Sequence, residues 1–150
     1  MKGKTILITG ANSGIGKAAA MNLAIQGAEI IMVTRKSETG AEAKKEIEIA
    51  SNSTKIHQYT CDLASQNQIR VLSEKLHTDF SKIDILLNNA GIIKKKQELT
   101  EDHIEHTFAV NHLSHFLLTQ LNIDLLRQAD EARIINVSSM AHGWGKINYK

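Results

Sequence analysis

The sequence predicts an α/β fold, a doubly wound parallel sheet covered by helices on both faces, and three observations predict it. Short β-rich apolar runs alternate with longer helical patterns along the whole chain. A glycine-rich turn, T-G-A-N-S-G-I-G at 9–16, stands between the first apolar run and a helix-forming one. There is no repeat, no low-complexity stretch and no proline. Such alternation implies right-handed βαβ crossovers, which produce a parallel sheet with helices on either side.

The first strand is expected at 5–9, T-I-L-I-T, followed by a helix at 14–26. The second strand, at 29–34, is E-I-I-M-V-T, and the next helix falls at 40–50. A third strand at 55–61 leads to a helix at 66–78, where Ser65 with Gln68 three residues on forms a capping-box pattern. The fourth strand is expected at 83–88. A long helix should then run over 101–127, starting at Thr100 ahead of Glu101 and Asp102. Asn111 marks a point where it could break, since Asn disfavours helix interiors. The fifth strand is expected at 133–138.

At 150 residues the chain reads as one domain, 1–150, and 42% hydrophobic content suffices for a core. A net charge of +2 with mixed signs gives no footprint for nucleic acid. Lys94, Lys95 and Lys96 form a basic run that reads as a solvated loop. The lone Cys61 excludes an intramolecular disulfide and suits a reducing compartment. No segment approaches the roughly 20 apolar residues of a membrane span. The first strand also begins too early to leave room for a signal peptide, so no membrane partner and a cytoplasmic location are expected.

The glycine turn carries the chemistry. Gly10 can take the sharp bend off the strand, Gly14 lets backbone approach a pyrophosphate, and Gly16 lets helix pack on strand. Asn12, Ser13 and Ile15 complete a cradle at a helix N-terminus, where free N–H groups and the helix dipole favour an anion. In a doubly wound sheet that position, at the carboxyl ends of the strands, is where ligands bind.

A second segment, L-N-N-A-G at 87–91, follows the fourth apolar run. T-G-x-x-x-G-x-G followed by N-N-A-G resembles the short-chain dehydrogenase/reductase family. The resemblance extends to Asp62-Leu63, to Asn111 and to Val137-Ser138-Ser139, and covers Lys2 to about Gly145. It implies a Rossmann-type dinucleotide-binding domain with five strands present and the C-terminal part of the fold beyond residue 150. It also implies hydride transfer between a nicotinamide and a small-molecule alcohol or carbonyl. By this resemblance Asp62 hydrogen-bonds the adenine amino group and Leu63 flanks the ring. Asn88, Ala90 and Gly91 line the nucleotide path, and Asn89 braces neighbouring strands. The same N-N-A-G segment also reads as scaffold, closing the strand end through side-chain bonds to backbone.

Cofactor choice is read at the end of the second strand, V-T-R-K, which lacks the acid that an NAD-preferring site places there. Arg35 offers a guanidinium fork for phosphate and Thr34 a hydroxyl donor, so NADP(H) is expected over NAD(H). The plainer reading is that Arg35 and Lys36 solvate a strand end.

Family catalysis uses Ser, Tyr, Lys and Asn. Ser139 matches the serine and Asn111 the water-ordering asparagine, with Ser138 structural. Tyr-x-x-x-Lys, which puts an ammonium one helical turn from the phenol, does not occur. Tyr149 is followed directly by Lys150 and reads as loop, so these 150 residues are expected to be inactive. N-H-L-S-H-F-L-L-T at 111–119, I-I-N-V-S-S-M-A-H at 134–142 and the T-R strand end resemble the retinol-dehydrogenase-like branch, whose members act on lipophilic alcohols and carbonyls. His103 with His106, and His112 with His115, lack a Cys or carboxylate set to complete a metal site. A competing reading is a shortened protein that binds nucleotide or a partner chain without catalysis. Self-association is expected because the fifth strand is left as an edge.

Overall fold

The computed structural model describes residues 1–144; Tyr149 and Lys150 lie outside them. Among the described residues five strands form a parallel sheet: β1 Thr5–Thr9, β2 Glu29–Thr34, β3 Ile56–Thr60, β4 Ile85–Asn88 and β5 Arg133–Asn136. Their spatial order is β3-β2-β1-β4-β5, and every neighbouring pair is parallel. The order grows outward in one direction from β1 to β3, then restarts on the other side with β4. That reversal between β1 and β4 opens a crevice at the carboxyl end of the sheet.

Strand residues alternate between two cores, as the period of two requires. Ile6 and Ile8 of β1, with Ile30 and Met32 of β2, pack under α1 Gly14–Ile25 and α2 Ser37–Ser51. Leu7, Ile31 and Val33 point the other way, towards α3 Gln66–Asp79 and α5 Ser114–Leu121. Both faces of the central strands are therefore apolar, and these side chains are fully buried. β5 differs: all four of its residues are exposed.

Several expected boundaries move by one to three residues, two of them for a plain local reason. α2 begins at Ser37, three residues before Gly40. Gly40 is instead a packing glycine inside the helix, since a Cβ there would collide with the Thr34 hydroxyl and the Gln58 amide. β4 begins at Ile85, two residues after the expected start. There Asp84 is buried as a carboxylate, accepting the Thr5 N–H at 2.9 Å and pairing with Lys4 and Lys82, each at 3.1 Å.

The long helix expected over 101–127 is the largest correction. Thr100 does not start it: the Thr100 N–H donates to the Ile104 carbonyl, and His103 takes a left-handed φ of 58°, closing a turn. The cap is Glu105, whose carboxylate accepts the N–H groups of Thr107 and Phe108. Helix then runs as α4 His106–Phe108, a π-helical turn over Ala109–Leu113, and α5. The helix breaks at buried Asn122, before α6 Ile123–Arg127. Asn111 thus marks a widened turn and Asn122 marks the break. Ser65 caps α3 as expected, accepting the Gln68 N–H at 3.3 Å. Gln68, however, reaches back to the Asp62 N–H at 2.8 Å, not to Ser65.

Candidate functional site

The crevice above β1 and β4 is a cleft of about 740 Å³. Its floor is the glycine turn. Gly10 has φ of 66°, and a Cβ on it would lie 3.0 Å from the Ala90 Cα. Gly14, at φ of 53°, faces open space on the cleft side, with nothing within 4 Å of where a Cβ would stand. A Cβ on Gly16 would collide with the Gly10 carbonyl and the Asn89 amide, so this glycine lets α1 press onto the strand end. Gly10 and Gly16 meet the steric demands the sequence suggested, a sharp bend and a close helix–strand contact, while Gly14 is set apart by its positive φ alone.

Two helices open on this cleft without side-chain caps. Ser13, extended at φ −155°, makes no capping bond to α1, and α1 has no acid in its first turn. α2 starts after Lys36, which also makes none. By contrast α3, whose N-terminus is not on the cleft, is capped by Ser65, and α4, whose first residue His106 does reach the cleft, is capped by Glu105. At α1 the uncapped N–H groups and the positive end of the dipole suit an anion, whereas the first turn of α2 already carries the Glu38 carboxylate.

At the end of β2 the pleat decides which side chains reach the cleft. Val33, Arg35 and Lys36 line it; Thr34 does not. Thr34 is buried on the opposite face, where its hydroxyl donates to the Lys36 carbonyl at 3.2 Å and accepts from Gln58 at 3.3 Å. It is therefore removed from the set of phosphate donors. Thr39 and Lys36 take that place on the wall, with Asn12 Nδ2 donating to Thr39 Oγ1 at 3.4 Å across the turn. Glu38, in the same first turn of α2, has its pKa lowered first by its own backbone N–H and then by the Ser37 hydroxyl.

Cys61, Asp62 and Leu63 line the cleft at the end of β3. Asp62 accepts the Ala64 N–H at 2.9 Å, which fixes its carboxylate. Burial, and secondarily the Asp62 charge, push the Cys61 thiol up to about 12, so it serves as an apolar wall group.

The N-N-A-G segment divides by the same alternation. Asn89, Ala90 and Gly91 line the cleft, but Asn88 does not. Asn88 is buried and turned to the neighbouring strand, donating to Asn136 Oδ1 at 2.8 Å and Thr119 Oγ1 at 3.3 Å. Asn89 both braces and lines: its Nδ2 donates to the Thr9 carbonyl at 2.8 Å. The Thr9 hydroxyl oxygen in turn accepts the N–H groups of Asn89 and Ala90, both at 2.9 Å.

Neither residue assigned to catalysis by resemblance stands on this wall. Asn111 is exposed in the π-helical turn, and its amide is held by Ile92. Ser139, also exposed, accepts the Ala141 N–H at 3.2 Å. Ile92, His106 and Val110 line the cleft without having been anticipated. Only Val110, in an apolar helical stripe next to Asn111, left a usable sequence signal. The histidine pairs do not act as pairs. His103 sits in the turn before α4, His112 stacks on Phe108 at 5.2 Å, and His115 is buried against Thr9.

The family described as short chain dehydrogenase matches residues 4–149. Over 147 residues the chain is 43% identical to retinol dehydrogenase 13 of Homo sapiens, an alignment covering 98% of this chain and 44% of that protein. It is 40% identical over 147 residues to the WW domain-containing oxidoreductase of Gallus gallus, covering 98% and 36% respectively. Among solved structures, a short chain dehydrogenase of Escherichia coli CFT073 complexed with NADPH superposes with a TM-score of 0.85 at 26% identity, covering 99% of this chain and 63% of that one. An uncharacterized protein of Mycobacterium Paratuberculosis gives 0.82 at 34% identity, covering 98% and 50%. The chain thus spans less than half the length of these curated relatives.

Proposed function

Because the chain belongs to the short-chain dehydrogenase family, we propose that it binds NADP(H) in this cleft and serves an oxidoreductase reaction on an alcohol or carbonyl. The observation that carries the reading is Arg35 beside Lys36 on the cleft wall, at a β2 end with no acid, facing the uncapped N-terminus of α1. The donor set fits the cofactor. Gly14 leaves backbone open where a pyrophosphate would lie, and a guanidinium fork with an ammonium suits a 2′-phosphate. Bound nicotinamide would donate or accept a hydride.

The chain's own groups would divide the work. Residues 10–16 hold the pyrophosphate, Arg35 and Lys36 the 2′-phosphate, and Asp62 the adenine, while Asn89, Ala90 and Gly91 shape the wall. Ser139 would hydrogen-bond the substrate oxygen and Asn111 would order a water, roles that rest on the family resemblance. Retinol dehydrogenases among the relatives support a lipophilic substrate. Since the 150 residues contain no Tyr-x-x-x-Lys, residues 1–150 by themselves bind cofactor without turning it over.

Titrating NADPH and NADH into the wild type and Arg35→Asp tests cofactor choice. The wild type should favour NADPH by about 1.5 to 3 kcal/mol, the scale of hydrogen bonds to a charged group. Arg35→Asp should lose that preference. Equal or tighter NADH binding by the wild type overturns the reading.

A further inference from the structure

We propose that His115 is a positioning residue for the cofactor cleft: from inside α5 it fixes the Thr9 hydroxyl, and through it the Asn89–Ala90 backbone of the wall. The inference rests on reading the cleft as a dinucleotide site.

A threonine hydroxyl has one proton to donate and two lone pairs to accept with. Both lone pairs of Thr9 are in use, one on the Asn89 N–H and one on the Ala90 N–H, each at 2.9 Å. The remaining contact, His115 Nε2 at 3.3 Å, must therefore receive the proton. That assignment requires a bare Nε2, hence a neutral ring carrying its hydrogen on Nδ1. The Asn111 backbone, one turn earlier in the helix, acts on the ring in the sense that favours a proton, as a nearby carbonyl does.

The surroundings favour the same state. His115 is 9% exposed and Thr9 is fully buried. Burial, with a small contribution from His112, lowers the imidazole pKa to about 4, so the ring is neutral near pH 7. Without an acceptor at Nε2, the Thr9 hydroxyl proton would turn towards one of the two amides. One wall amide would then lose its bond, and leaving a buried donor unmade is costly. His115 touches no cofactor position itself; it acts on the cleft through Thr9.

The test uses the 150-residue chain. Nitrogen-15 NMR of the wild-type imidazole should show the Nδ1–H tautomer; an Nε2–H tautomer overturns the inference. Next, NADPH affinity is measured well below the melting temperature for His115→Phe, Thr9→Val, the double variant and His115→Gln. His115→Phe should weaken binding about five- to tenfold, the scale of one hydrogen bond. The double variant should be no weaker than Thr9→Val alone, and His115→Gln, whose amide oxygen can accept, should recover most of the loss. Additive losses, or a lower melting temperature with unchanged affinity, overturn it. Should His115→Phe fail to fold, the tautomer and the His115→Gln and Thr9→Val affinities still decide. A wild type that binds neither NADPH nor NADH overturns the cofactor reading as well; a wild type that binds, with variants binding equally, overturns this inference alone.

Discussion

Asn111 clasps Ile92 at both ends of one residue: its Oδ1 accepts the Ile92 N–H at 2.8 Å and its Nδ2 donates to the Ile92 carbonyl at 2.9 Å. The side chain imitates a neighbouring strand for a segment that has none, and does so from a π-helical turn, where helices often serve a site. Ile92 lies on the cleft wall. Asn111→Ala should therefore cost about 1 to 2 kcal/mol of stability and weaken nucleotide binding. Asn111→Asp, which accepts but cannot donate, should fall between. Amide exchange at Ile92 checks the clasp, and unchanged protection in Asn111→Ala would falsify it.

Gly14→Val and Gly16→Ala should fail in different ways. At Gly14 the new side chain points into the cleft from φ of 53°, so NADPH binding should vanish. The strain of that conformation should cost only about 1 to 2 kcal/mol. At Gly16 even a methyl meets the Gly10 carbonyl, so the fold itself should suffer. Circular dichroism melts alongside cofactor titrations separate the two; an unchanged affinity in folded Gly14→Val removes the turn from phosphate binding.

Acid should destabilise the protein in two windows. His115 has an ordinary pKa of 6.5 that burial lowers to about 4. The unfolded chain then binds the extra proton first, and stability present above pH 6.5 is lost as pH falls towards 4, by about 3 kcal/mol in full. Asp84 follows at lower pH. Burial alone would raise its pKa, but the Thr5 N–H, Lys4 and Lys82 outweigh it, and the net position is below 3.8. Its stabilising share is present above pH 3.8 and lost beneath. Urea melts at pH 7, 5.5 and 4 should show the first loss in the wild type and not in His115→Phe; parallel losses would argue against His115 as the source.

Residues 1–150 should self-associate through β5. Ile134 and Ile135 of β5 and Val137 just after it are 43%, 44% and 45% exposed, and among the described residues β5 is an edge strand, a template for further pairing. Sedimentation at micromolar concentration should detect dimers or larger species, and Ile135→Lys should shift them towards monomer. A wild type that sediments as a monomer throughout rules this out.

The strand runs, the crossover pattern and the glycine turn were legible in the sequence because each is set within a few residues. Alternation of apolar runs states the parallel sheet, and glycine at 10, 14 and 16 states a backbone that side chains would obstruct. The tertiary structure alone decided which of two adjacent residues faces the cleft. Thr34 and Asn88 carry suitable groups and turn away, while Arg35 and Asn89 turn in, because the pleat's phase at each strand end is fixed by packing on both sheet faces. It also decided where the long helix starts. Thr100 and Glu105 both offer a cap, and the left-handed turn at His103 gives the helix to Glu105. Least visible was the contact of His115 with Thr9, 106 residues away. No local pattern encodes a bond between a helix interior and a strand end that only the closed sheet brings together.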